Sequence, residues 1–253
     1  MEKLNIGDIN DFVNKNISIF HQSKLSSLQS INLKGVLNKK NPYLFKAKNI
    51  TVAADLVTSI LDAFLSSSEE KLFGDFLEEL AIFISSKTCN GRKSAATGID
   101  LEFVSKGTHY LVSVKSGPNW GNSSQQEKQE RDFQIAVKVL KQSNRMLNVQ
   151  PVLGICYGKV KTSYLRGYLK VVGQNFWYLI SEDENLYTDI IEPLGYRAKQ
   201  HNAKFMKQKS KIINLFTQEF LADFCDDGLI NWKKLVEFNS GNLDLKKSGE
   251  KQK

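Results

Sequence analysis

Two short segments carry the side chains that could do chemistry: Gly98-Ile99-Asp100-Leu101-Glu102-Phe103 and, across a gap, Leu111-Val112-Ser113-Val114-Lys115. Both have the length and the β-branched content of strands, and Ser105-Lys106-Gly107-Thr108 between them reads as a hairpin turn. Alternate residues of a strand share a face, so Leu111, Ser113 and Lys115 point one way and Tyr110, Val112 and Val114 the other. A lysine at the end of an otherwise apolar strand is costly to bury without a partner. The hairpin can supply one by bringing Asp100 close across the ladder. On the residues alone, three readings stand. Asp100 and Lys115 are a surface ion pair, Lys115 guards an edge strand against aggregation, or the two sit together because they do chemistry.

Asp100, twelve intervening residues and then Ser113-Val114-Lys115 resembles the metal-binding acid and the acid-X-lysine element of the PD-(D/E)XK nuclease superfamily. Two departures are visible. Ile99 stands where members of that family often have proline, and Ser113 stands where the second acid is usual. Some restriction enzymes have this serine and recruit a carboxylate from elsewhere. Three sources are available: the helix holding Gly74, Glu78 and Glu79, the downstream helix holding Glu127 and Glu130, and Glu102 on the Asp100 strand. At about 100° per residue, Glu78 projects nearly opposite the apolar stripe of its helix and Glu79 lies at the edge beside Phe76 and Phe83. Glu79 therefore ranks first, Glu127 second and Glu102 third. Gln22-Ser23-Lys24-Leu25, Phe73-Gly74 with Glu78-Glu79, Ser113 to Gly117, Leu153 to Gly158 and Gly173 to Trp177 extend the likeness toward type II restriction enzymes cutting short GG/CC-type sites.

The resemblance implies Mg2+-dependent hydrolysis of double-stranded DNA to 5′-phosphate ends, with Asp100, the Val114 carbonyl and Glu79 or Glu127 as metal ligands. Asp100, Lys115, Glu79 and Ser113 would be the catalytic set. It further implies a homodimer matched to a palindromic site and a cognate methyltransferase encoded nearby. The stretch after Lys115 carries Trp120 and the amides of Asn119, Asn122, Gln125 and Gln126, which suit base edges, and Arg131, Arg145, Arg166 and Arg197 are candidates for guanine. Lys204 and Lys207 suit phosphates. Two alternatives are a structure-directed repair nuclease or resolvase of the same superfamily, and a DNA-binding protein whose site has decayed at Ser113.

Helical spacing predicts that Ile9 to Leu28 form a first helix, with Gly35 and Asn41-Pro42 breaking the pattern. A second helix is predicted over 51–65, ended by Ser66-Ser67-Ser68, and a third over 69–85. A polar loop should cover 85–97, and a long helix 124–143. Strands are expected at 152–157 and 165–172, and mostly helix beyond Gly173. The fold class that follows is α/β: a mixed central β-sheet flanked by helices, with mostly helical N- and C-terminal parts. Three parts are expected: residues 1–68 as an N-terminal helical region for DNA binding or dimerisation, 69–245 as the nuclease core with C-terminal helices, and 246–253 as a disordered basic tail.

The net charge is +8, and its distribution says more than its total. Tyr196 to Lys211 holds six basic residues and no acid, whereas Glu182 to Glu192 holds five acids and no base. A segregated basic face is what phosphate binding needs. The three cysteines lie far apart and the three histidines do not cluster in sequence, which argues against a zinc centre and for free thiols. Nothing matches a phosphate-binding glycine loop or a nucleophile elbow. No apolar run approaches the ~20 residues of a membrane helix, so a soluble, cytoplasmic protein is expected.

Overall fold

From its N-terminus the chain runs through α1 (Ile6–Ser30), α2 (Leu33–Leu37), α3 (Pro42–Ala47) and α4 (Ala53–Thr88). Here a computed structural model describes residues 4–243. Two sequence features read as breaks turn out to belong to helices. Asn41 caps α3, its Oδ1 accepting from the backbone N–H of Tyr43 and Leu44, and Pro42 takes the first helical position, where a missing N–H costs nothing. Gly35 lies inside α2, which Asn32 caps. The expected stop at Ser66-Ser67-Ser68 is also absent, and α4 continues through it. Ser67 donates back to the Ala63 carbonyl at 3.2 Å, and Ser68 shares a hydrogen bond with Ser27 at 3.3 Å. Hydroxyls that find partners in the helix or beside it do not terminate it.

The sheet begins with β1 (Arg92–Lys93), inside the stretch expected to be loop, and continues with β2 (Leu101–Ser105) and β3 (Thr108–Lys115). Then come α5 (Ser123–Ser143), β4 (Asn148–Ile155), β5 (Ser163–Leu165) and β6 (Tyr168–Val172). The single strand expected over 165–172 is thus a hairpin, because Arg166 and Gly167 both take positive φ. Lys106 and Gly107 do the same between β2 and β3. Positive φ at both central residues gives the turn whose twist suits two paired strands. The chain ends in α6 (Gln174–Ser181), α7 (Leu186–Asp189), α8 (Ile191–Leu194), α9 (Ala198–Phe224), the small hairpin β7 (Cys225–Asp226) and β8 (Leu229–Ile230), and α10 (Trp232–Ser240). The sheet order is β1-β2-β3-β4-β6-β5, with β3, β4 and β6 parallel and the outer pairs antiparallel. This is the expected mixed sheet with helical flanking parts. The tail expected over 246–253 lies outside the described residues.

The described residues form two compact units, one from the stretches up to Phe20 and 71–198, the other from 21–70 and the described residues after Ala198. The boundary expected after Ser68 falls within α4. The first unit holds the six-stranded sheet. On one face Leu101, Phe103, Val112, Val114, Val152 and Val171 meet Phe76, Leu77, Leu80, Ala81 and Ile84 of α4 and Phe176, Trp177 and Ile180 of α6. On the other, Leu111, Leu153, Ile155 and Val172 meet Phe133 and Ala136 of α5. The second unit packs Leu33, Leu56, Val57, Ile60, Phe220, Phe224 and Leu235 together, and beside them Leu25, Leu28, Leu61, Phe205 and Ile212. Among the described residues, no helix is long and apolar enough to cross a membrane.

Candidate active site

The register of the hairpin builds the site. Leu101 pairs with Val112, and the Asp100 N–H donates to the Val112 carbonyl at 2.9 Å, so Asp100 sits opposite Ser113. Both side chains, with Lys115 two residues on, lie on the face covered by α5. Beyond Asp100 the β2 backbone turns away, and the Val114 N–H, which points to that side, has no strand to meet. It donates to Asp100 Oδ2 instead, at 2.6 Å. Ser113 Oγ is 3.2 Å from the same oxygen, and Lys115 Nζ is 3.7 Å away. The Lys115 N–C=O continues the parallel ladder to β4, its carbonyl accepting from the Cys156 N–H at 2.9 Å. By alternation the Val114 carbonyl faces the Asp100 side. Trp120 closes the far side of Lys115, with the ammonium 5.9 Å from the ring centroid.

A second carboxylate arrives from the opposite face, on α4, and it is Glu78. Its side chain is 27 % exposed, against 56 % for Glu79. Burial first, and then the nearby Asp100 charge, push the Glu78 carboxyl above its ordinary range, with Lys93 opposing. The buried Cys156 thiol next to it is also pushed up, chiefly by burial, and feels both Glu78 and Lys115. Lys93 Nζ donates to both carboxylates, to Glu79 at 3.0 Å and to Glu78 at 3.4 Å, and Glu79 is the more exposed of the two. The orientation expected from the helical wheel is therefore reversed. The reason is side-chain size. Gly74, Ala81 and Ser85 share one line of α4: a Cβ on Gly74 would lie 3.6 Å from Ser116, and Ala81 and Ser85 are fully buried. Glu78 falls on that same line, one turn after Gly74.

The chain matches a family model described as Type II restriction endonuclease EcoO109I over residues 7–202, more than half its length. The chain belongs to this family. Membership implies site-specific cleavage of DNA. No match to a curated protein was found. The matched span of this EcoO109I-family chain includes Glu78, Asp100, Ser113 and Lys115, and it ends within α9 just before Lys204 and Lys207.

The remaining expected residues of the EcoO109I-family chain are placed as follows. Glu102 is spent away from Asp100, accepting from Arg92 Nε at 2.7 Å and from Ser94 Oγ at 3.3 Å. Glu127, Asn119 and Arg131 are exposed. Asn122 and Gln125 form the capping box of α5, Asn122 accepting from the Gln125 N–H at 3.1 Å and Gln125 from the Asn122 N–H at 2.9 Å. Trp120 is half-buried against the cluster that holds Ile99, Leu111 and Phe133. Lys204 and Lys207 are exposed on α9, in the second unit. One residue at the site went unnoticed in the sequence: Gln129, only 6 % exposed, lies 2.9 Å from Ser113 Oγ through Oε1 and donates Nε2–H to the Gly98 carbonyl at 3.0 Å. The signal that could have found it is its position four residues before Phe133, continuing the buried stripe of α5.

Proposed function

We propose that the chain is a type II restriction endonuclease in which Asp100 and Glu78 hold Mg2+ and Lys115 acts on the attacking water, and that as a homodimer it cuts double-stranded DNA to 5′-phosphate ends. The single observation carrying this reading is the convergence on Asp100 Oδ2 of the Val114 N–H and, close by, the Lys115 ammonium. A surface ion pair needs no backbone donor fixing its carboxylate.

The donor set fits magnesium, a hard cation that takes one or two carboxylates and fills its other positions with waters and phosphate oxygens. Among the described residues no cluster of three or more His, Cys, Asp or Glu forms a closed cage. Two carboxylates and a backbone carbonyl match the open arrangement that leaves room for substrate. When bound, the ion would activate water and offset charge on the phosphoryl oxygens. The Val114 N–H holds Asp100 in one orientation. Lys115, 3.7 Å from Asp100, orients the attacking water and stabilises negative charge as it grows at phosphorus. Glu78, whose carboxyl is pushed up by burial and by Asp100, gains from a cation between the two. Exposed Lys204 and Lys207 supply phosphate contacts, and Arg131 and the amides of Asn119 and Gln125 are offered to bases. A methyltransferase guarding the same site would accompany the enzyme.

The test is incubation of the protein with unmethylated phage DNA in Mg2+ and in EDTA, beside Lys115→Ala. Discrete fragments in Mg2+ alone, lost in the variant by a factor of about a thousand or more, are expected. Equal cutting by Lys115→Ala would remove Lys115 from the mechanism.

A further inference from the structure

Ser113 has one hydroxyl hydrogen and two acceptors in reach. Asp100 Oδ2 is 3.2 Å away and Gln129 Oε1 is 2.9 Å away. The amide cannot turn round, because its Nε2–H is committed to the Gly98 carbonyl at 3.0 Å, so it is Oε1 that faces the hydroxyl. An amide oxygen carries no proton, and neither does an ionised carboxylate. One of the two contacts of Ser113 is therefore oxygen to oxygen with no hydrogen between. Oδ2 already takes the Val114 N–H at 2.6 Å and has the Lys115 ammonium 3.7 Å away. The shorter contact, to Gln129, is the better claim on the proton.

We propose that Gln129 is a positioning residue that holds the Ser113 proton, turning the Ser113 oxygen lone pairs toward Asp100 so that the two oxygens act as a cation-seeking pair where the strand lacks a second acid. Two such oxygens repel unless a cation sits with them, so the arrangement favours metal binding over the empty site. Without the Gln129 acceptor, the hydroxyl would swing its hydrogen onto Asp100 and spend part of the carboxylate's capacity for a cation. This inference rests on the divalent-metal reading above.

The test is calorimetric titration of Mn2+ into the metal-free full chain, in the absence of DNA, for the wild type, Ser113→Ala, Gln129→Met and the double variant. Each single variant should weaken binding about tenfold, and the double should be no weaker than Ser113→Ala, because one acts through the other. Gln129→Glu, whose protonated carboxyl can donate to the Gly98 carbonyl and still accept from Ser113, should bind at least as tightly as the wild type and serves if Gln129→Met does not fold. Unchanged affinity in Gln129→Met, multiplied losses in the double variant, or weakened binding in Gln129→Glu would overturn the relay while leaving the metal reading intact. No Mn2+ uptake by the wild type would overturn both.

Discussion

At the scale of the residue, Glu78 carries a conflict that can be measured. Its folded carboxyl is held above the ordinary range by burial and by Asp100. A carboxyl raised on folding favours the folded state at low pH, and that advantage is lost as pH rises through its folded value. At neutral pH without metal, ionised Glu78 is therefore a burden on the fold. Glu78→Gln should melt at a higher temperature than the wild type in EDTA at neutral pH, with the gap closing as pH falls below the ordinary glutamate range. The same variant should lose cleavage, whereas Glu79→Gln should keep it. Equal melting curves for Glu78→Gln and wild type would remove the electrostatic strain assigned here. Asp100 and Lys115 were legible in the sequence because strand alternation and a two-residue turn fix which side chains meet. Glu78 was not, because a helical wheel ranks faces by hydrophobicity. Glu78 shares its line of α4 with Gly74, Ala81 and Ser85, residues notable for smallness. Gln129 escaped for a related reason: a polar side chain on an apolar stripe reads as the end of the stripe until its partners are seen.

At the scale of the element, α4 has 36 residues and crosses a triplet of serines without interruption. Serine disfavours the helix interior only weakly, and here its hydroxyls find partners within reach, so local propensity gave way to packing of Leu61 and Leu65 on one side of the triplet and Phe76 and Leu77 on the other. A residue that removes the N–H and clashes with the preceding turn should behave differently. Ser67→Pro should destabilise by about 3 kcal/mol or more, while Ser67→Ala should be neutral or slightly stabilising. Denaturant titration of both distinguishes a continuous helix from two abutting ones, for which Ser67→Pro would be mild. The turn residues tell a complementary story. Lys106-Gly107 was readable as a hairpin because glycine stood between two alternating runs. Arg166-Gly167 was passed over because the flanking strands are short, although both pairs adopt positive φ at both positions.

At the scale of the whole molecule, charge distribution is the readable quantity. Exposed Lys204 and Lys207 stand in the acid-free stretch from Tyr196 to Lys211, and of its other lysines Lys209 is already paired with Asp62. Contacts with phosphate release counterions, so each lysine that makes one adds about one to the slope of log affinity against log salt. Lys204→Ala and Lys207→Ala should each lower that slope by about one while weakening binding evenly across sequences. An unchanged slope would remove the residue from the DNA-binding surface. Fold class followed from the order of helices and strands in the sequence, but the two compact units did not, because α1 and α4 each contribute residues to both.

The buried Cys156 thiol, flanked by the charges of Glu78 and Lys115, also serves as a clock. Burial holds it protonated at neutral pH, so an alkylating reagent should reach it only when the end of β4 opens, later than it reaches the half-exposed Cys225. Its rate of modification, followed by mass spectrometry, would count those openings one molecule at a time. A divalent ion seated beside Glu78 should slow the clock, giving a measure of site closure that needs neither DNA nor cleavage.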